Sequence, residues 1–301
     1  MTAGSVNADP AASAFEQAGT AAEFTAVAKQ ALAAQRSALT ESLAKGIAIE
    51  TLIGRYRECL DVIVCKAWDL GMHRDAGLVL VATGGYGRGE LYPHSDIDLL
   101  VCGQEAEHVR HSEALGQFFS LLWDSGLKVG QAVRSVGQCL EQSRLDVATY
   151  TSLLEIRKLA GDEKVFLSLE AAVNSPEVYD ARGYFEAKRH EQRQRHAKFH
   201  NTADNLEPNL KEGPGGLRDF HTLNWLSRKL YGVSSLAGLV PLGLLGDAEW
   251  QALLRNWRIV ARLRFALHLV VKRPEERLLF DHQKNLAELF GLQDTPDNLA
   301  V

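Results

Sequence analysis

Residues 84–101 read GGYGRGELYPHSDIDLLV, and no other stretch constrains the fold as tightly. A short apolar run, GLVLVAT (77–83), precedes it, and DIDLLVC (96–102) closes it. Both runs are short and rich in branched aliphatic residues, as buried strands are. A glycine-rich loop therefore joins two strands. It is no P-loop, because no GK[ST] follows. It is no dinucleotide fingerprint either, because a strand and not a helix comes next.

Side chains alternate along a strand, so Asp96 and Asp98 project from one face while Ile97 and Leu99 enter the core. Two adjacent carboxylates repel, and one of them would hold a proton. A divalent cation removes that penalty. Mg²⁺ suits the pair best, since it takes oxygen ligands and leaves room for phosphate oxygens. Gly84 and Gly85 allow close approach of a phosphate to backbone N–H groups. Arg88 is placed to pair with phosphate charge, and Pro93 stiffens the loop. A glycine loop or a DxD pair alone is more often a turn or a solvated strand end. Their order and spacing together favour metal-assisted nucleotidyl transfer.

Along the chain, 22–45 is alanine-rich and helix-favouring. Apolar residues recur at helical spacing from Ile49 to Trp68, with Gly71 as the stop. After the two strands, 105–125 reads as helix, 127–136 as a third strand and 144–159 as helix. Beyond Gly161 the pattern is helical almost throughout. It includes a basic helix (183–200), a long helix (247–272) and a last helix starting at Asp281 as N-cap. Trp225, Trp250 and Trp257 sit at helical core spacing and read as packing. The expected architecture is α+β: a small mixed sheet flanked by helices, followed by an all-α part. The expected divisions are a disordered tail (1–20), N-terminal helices (21–75), a transferase domain (76–160) and a helical domain (161–301).

KEGPGGLRDF (211–220) places a Pro-Gly-Gly turn before a helix, where free N–H groups form a natural anion site flanked by Lys211 and Arg218. Asp219 could instead balance the helix dipole. The basic helix reads equally as a solvated face or as a wall near substrate.

A net charge of −5 argues against a general nucleic-acid or membrane-surface binder, and no apolar run reaches membrane-spanning length. The first 20 residues lack the basic start and apolar core of a signal peptide. The four cysteines (59, 65, 102, 139) have no zinc spacing and read as reduced cytoplasmic thiols. His108/His111 and His196/His200 share helix faces but read as surface, without an HExxH-type partner.

The opening stretch resembles the signature of the nucleotidyltransferase superfamily whose fold is shared with DNA polymerase β: a Gly-Gly pair, then a D-x-D strand. Residues 78–290 resemble, more narrowly, the N-terminal part of the bacterial bifunctional PII uridylyltransferase/uridylyl-removing enzymes. DVATYTSLLEIRKLAGD (146–162), RHAKFHNTADNLEPNLKEGPGGLRDFHTLNWLSRK (195–229) and RFALHLVVKRPEERLLFDHQ (264–283) carry that likeness. The Pro-Gly-Gly-Leu-Arg-Asp stretch is also similar to one in glutamine synthetase adenylyltransferase.

The resemblance implies transfer of UMP from UTP to a tyrosine of the nitrogen-signalling protein PII, with release of pyrophosphate. Asp96 and Asp98 would hold Mg²⁺. Gly84, Gly85, Arg88, Ser95, Lys211 and Arg218 would surround the nucleotide. The superfamily usually has a third carboxylate on the next strand, where this chain offers only Gly130 and Gln131. Asp146 could substitute, although a helix N-cap is its simpler role. The resembling enzymes continue into a His-Asp phosphohydrolase domain and two glutamine-sensing domains. No His-Asp dipeptide occurs here, so a transferase fragment is expected. The alternatives are a protein adenylyltransferase of the glutamine synthetase type and a degenerate transferase acting as a regulatory module. An RNA-directed transferase fits the acidic total charge poorly.

Overall fold

The computed structural model describes residues 15, 18–72, 77–176 and 178–295. The first helices with described bounds, α1 (Ala21–Ala44) and α2 (Ile49–Gly71), pack on each other. A capping box starts α1: Thr20 Oγ1 accepts the Glu23 N–H and the Glu23 carboxylate accepts the Thr20 N–H. The tail expected over 1–20 falls largely outside the described residues, but Phe15 does not behave as tail. It is buried against Phe24, ring centroids 5.2 Å apart. Every apolar residue that set the helical period of α2, from Ile49 to Trp68, is buried. Each such side chain stabilises the fold by roughly 1.5–3 kcal/mol.

The sheet has four strands: β1 (Leu78–Thr83), β2 (Ile97–Gly103), β3 (Val129–Arg134) and β4 (Arg157–Gly161), in the order β3-β2-β1-β4. β2 lies antiparallel to β1 and parallel to β3, so the sheet is mixed as expected. The glycine segment between β1 and β2 is not an open loop. It forms one helical turn, α3 (Gly84–Gly87). Helices α4 (Glu105–Arg110) and α5 (Ser112–Asp124) make the crossover to β3. The helix expected over 144–159 is corrected. α6 (Val136–Leu145) and α7 (Val147–Leu153) come first, and then β4 pairs antiparallel with β1.

Alternation on the strands divides the core. Leu78, Leu80, Ala82, Ile97, Leu99 and Val101 join α1, α2 and α5 on one face. Val79, Val81, Leu100 and Cys102 face α6, α7 and α8 (Glu163–Asn174) on the other. The chain continues through α9 (Ala181–Ala197), α10 (Leu217–Tyr231), α11 (Asp247–Val271) and α12 (Phe280–Leu289). Phe265, Ala266 and Leu267 of α11 belong to the same core cluster as α1 and α2. Asp281 lies in the first turn of α12 and the N-cap is Leu279, one correction to the expected start. Cys65, Cys102 and Cys139 form no disulfide. Among the described residues no helix is long and apolar enough to cross a membrane.

Candidate active site

β1 ends at Thr83, whose register partner is Asp98 near the start of β2. The chain turns at Gly84, whose φ of +55° is a left-handed conformation that side chains resist. A Cβ there would lie 3.6 Å from Asp98 Oδ2 and 3.4 Å from Ser152 Oγ. The turn thus sits directly over the second aspartate. A cleft of about 430 Å³ opens here, between the ends of β1 and β2, α7 and the inner faces of α9, α10 and α11. It gathers Gly84, Gly85, Arg88, Ser95, Asp96, Asp98, Lys211 and Arg218, residues up to 134 positions apart (218 − 84) in sequence.

Asp146 is not among the cleft residues. It caps α7, accepting the Ala148 N–H at 3.1 Å and the Thr149 N–H at 2.9 Å. The missing third carboxylate also has a geometric reason. Asp98 pairs in register with Gly130 on β3, and a Cβ on Gly130 would stand 2.4 Å from Asp98 Oδ1. The Asp98 carboxylate itself occupies the space a side chain at that position would need.

Seven carboxylates line the cleft: five glutamates and the two aspartates. Every glutamate has a cationic partner. Glu90 meets Arg88 at 3.2 Å, Glu155 also meets Arg88, and Glu191 meets Lys188 at 2.6 Å. Glu212 meets Arg218 at 3.0 Å, and Glu276 accepts two hydrogen bonds from Arg264, each 2.6 Å. Asp96 and Asp98 alone enter no ion pair and no hydrogen bond among the described residues. Desolvation by the cleft walls, then the neighbouring Asp96 charge, raises the Asp98 carboxyl above its ordinary range, with Lys211 pulling the other way. Two unpaired acidic groups at one wall of an otherwise neutralised cleft are the donor set a hard divalent cation needs. One or two carboxylates with substrate phosphates and water complete such a site, so Mg²⁺ fits these residues. No cluster of three or more histidine, cysteine or acidic residues suited to a metal occurs among the described residues.

Arg88, expected to pair with phosphate, is in the wall, and its charge already engages Glu90 and Glu155. Burial and the charges of Glu90 and Glu155 define its surroundings. His221 Nε2 lies 2.8 Å from Glu90. Burial, then Arg88, lowers the imidazole to about 4, so it is neutral at pH 7 and donates to Glu90. Burial would raise Glu90, but Arg88 and His221 outweigh it and hold it at about 2. The cluster joins the α3 turn to α10.

The expected anion site at the start of α10 is likewise corrected. Its first-turn donors are taken: Leu217 N–H by Leu210 C=O at 3.0 Å, Arg218 N–H by Lys211 C=O at 2.9 Å and Asp219 N–H by Gly216 C=O at 3.0 Å. Asp219 binds Arg195 at 2.5 Å, His196 at 2.9 Å and the Gly215 N–H at 2.8 Å. The Pro-Gly-Gly turn therefore works as a clamp that presents Lys211 and Arg218. A bridge between Asn209 and Arg277, with Leu210 N–H on Glu276 C=O at 2.8 Å, anchors the clamp to the segment after α11.

Sequence reasoning missed part of this wall. Tyr184, Lys188 and Arg195 are the buried residues of the basic α9, and Lys188 lines the cleft. Their i, i+4, i+11 spacing on one helix face was the available signal. Trp225 was read as packing. It is 4% exposed, yet it also lines the cleft, with Lys188 Nζ 4.4 Å and the Arg218 guanidinium 5.4 Å from its ring centroid. His196 is paired with Asp219 and His111 with Glu107, so neither is free surface.

Two family models match this chain. A nucleotidyltransferase domain covers residues 65–212, and the GlnD PII-uridylyltransferase family covers residues 183–301. The sheet, the glycine turn and the paired aspartates therefore lie within a nucleotidyltransferase domain. Within that class the chain matches the N-terminal part of the bifunctional uridylyltransferase/uridylyl-removing enzymes. It is 45% identical over 280 residues to the enzyme of that name from Xanthomonas campestris pv. campestris (strain 8004), covering 93% of this chain and 32% of the relative. It is 42% identical over 274 residues to the one from Pseudomonas aeruginosa (strain LESB58), covering 91% of this chain and 30% of the relative. The chain thus spans about a third of the length of these curated relatives.

Proposed function

We propose that this chain transfers UMP from UTP to a tyrosine hydroxyl of PII, in a Mg²⁺-dependent reaction that releases pyrophosphate. The observation that carries the reading is the pair of unpaired aspartates beneath a glycine turn, in a cleft where every other carboxylate is neutralised. The relatives' names supply the nucleotide and the family name supplies PII.

Asp96 and Asp98 would hold the cation, which when bound neutralises phosphate charge and polarises the reacting phosphoryl group. Gly84, Gly85 and Ser95 form the floor on which the phosphates rest. Lys211 supplies positive charge opposite Asp98, and Arg218 flanks it. The tyrosine oxygen attacks the α-phosphorus in line, the bond to the β-phosphate oxygen breaks, and the phenolic proton leaves to solvent or a cleft base. Positioning and fixed charge provide most of the acceleration, as in other phosphoryl transfers.

Cytoplasmic residence belongs to the same reading, and Cys65, Cys102 and Cys139, which form no disulfide, suit a reducing compartment. Incubation with PII and labelled UTP or ATP in parallel tests the assignment. Label on PII from UTP with Mg²⁺ supports it. Label from ATP alone would replace it with protein adenylylation.

A further inference from the structure

The cleft's cations differ in how firmly their carboxylates hold them. Arg88 is shared between Glu90 and Glu155, both largely buried. Arg264, 7% exposed, is gripped through two hydrogen bonds by Glu276. Neither can turn to a new anion without leaving a buried carboxylate uncompensated. Lys188 is different. Its side chain is 2% exposed, yet it lines the cleft, and its one ion-pair partner among the described residues is Glu191, at 2.6 Å. Glu191 sits one turn along the same helix and is 39% exposed, so it can swing into water at little cost. Lys188 Nζ also lies over the Trp225 ring, which fixes the ammonium on the cleft side of α9 without neutralising it.

We propose that Lys188 is a triphosphate-binding cation that exchanges Glu191 for nucleotide phosphate when substrate enters. The inference rests on the nucleotidyl-transfer reading and adds a residue and an exchange to it. An incoming triphosphate brings several negative charges to a cleft in which Arg88 and Arg264 are committed to buried carboxylates. The wall opposite the aspartates must then supply cations that can be released. Lys211, 4.0 Å from Glu212, is one. Lys188 is the second, and its carboxylate partner acts as a competitor for the same ammonium.

Two substitutions predict opposite signs. Lys188→Gln removes the cation and should weaken binding of Mg·UTP and of inorganic tripolyphosphate about tenfold or more, the loss expected for a charged hydrogen bond. Glu191→Gln removes the competitor and should tighten both. Titration calorimetry on the 301-residue chain, with Mg²⁺ present, reads the affinities, and thermal unfolding checks the fold. Should Lys188→Gln fail to fold, Lys188→Arg and Glu191→Gln still decide the matter. Lys188→Arg should retain most of the affinity. Unchanged affinity in Lys188→Gln, or weakened affinity in Glu191→Gln, overturns the exchange. A wild-type chain that binds neither Mg·UTP nor tripolyphosphate would overturn the underlying transfer reading instead, so the two failures are distinct.

Discussion

At the scale of single residues the aspartate pair and its glycine neighbours make separable claims. Asp98→Asn should abolish UMP transfer, read as label on PII, while the thermal midpoint holds or rises. The sign follows from its raised folded pKa. Above the unfolded value, ionisation of Asp98 opposes folding, so removing the charge relieves repulsion at neutral pH. Gly130→Ala tests the same site from the other strand. The new Cβ would stand 2.4 Å from Asp98 Oδ1, and a short side chain so crowded must rotate away. Transfer should fall by about a hundredfold, the cost of misplacing a catalytic group by an ångström. The Mg²⁺ concentration for half-maximal rate should rise. Normal turnover in either variant would remove the metal from Asp98.

At the scale of elements the α3 turn separates folding from chemistry. Gly87 packs against β4's approach: a Cβ there would fall 1.6 Å from Glu155 C=O and 2.8 Å from Ala82 C=O. Gly87→Ala should therefore destabilise the chain by at least about 1–3 kcal/mol, the range for overpacking. Gly85 has ordinary space, its nearest contact for a Cβ being Glu90 C=O at 3.6 Å. Gly85→Ala should keep its urea midpoint and lose transfer rate, because a methyl group on this cleft-lining residue narrows the approach of phosphate to the backbone. The same elements show what the sequence could disclose. β1 and β2 were legible as compact apolar runs, and the DxD spacing put both acids on one face. β4 was not, because LEIRKLAG follows a helix without a break in apolar content and is only half-buried along its length. Its signal was Gly161, in a left-handed conformation at the strand's end. Trp225 and Lys188 were not assigned to the cleft from sequence because helical period tells which side faces inward, not whether the inside is core or cleft. The start of α10 looked open to anions because sequence cannot show that Leu210 and Lys211 carbonyls fold back onto it.

At the scale of the whole molecule, buried charge clusters tie the sheet to the later helices and should make the fold acid-sensitive. Arg88, Glu90, Glu155 and His221 bridge the α3 turn to α10, and Arg264, Glu276 and His268 bridge α11 to the segment that holds the Lys211 clamp. Burial would raise Glu276, but the two hydrogen bonds and the charge of Arg264, with His268 nearby, hold it at about 2, as Arg88 and His221 hold Glu90. A carboxyl depressed in the folded state stabilises above its unfolded value near 4.5, and that contribution is lost as pH falls toward 2. His221 is depressed to about 4, so the folded state also resists a proton the unfolded chain accepts below about 6.5. Glu155, raised mainly by burial, works in the opposite direction and blunts the slope. The net expectation is a urea midpoint that begins to fall near pH 6.5 and drops more steeply below 4.5. Glu276→Gln supplies the control. It should cost about 3–5 kcal/mol at pH 7, because Arg264 is left buried without its carboxylate. Its midpoint should then be flatter than wild type between pH 4.5 and 2, since one of the titrating groups is gone. Parallel slopes for the two proteins in that window would show that the Arg264–Glu276 pair does not couple protonation to the fold.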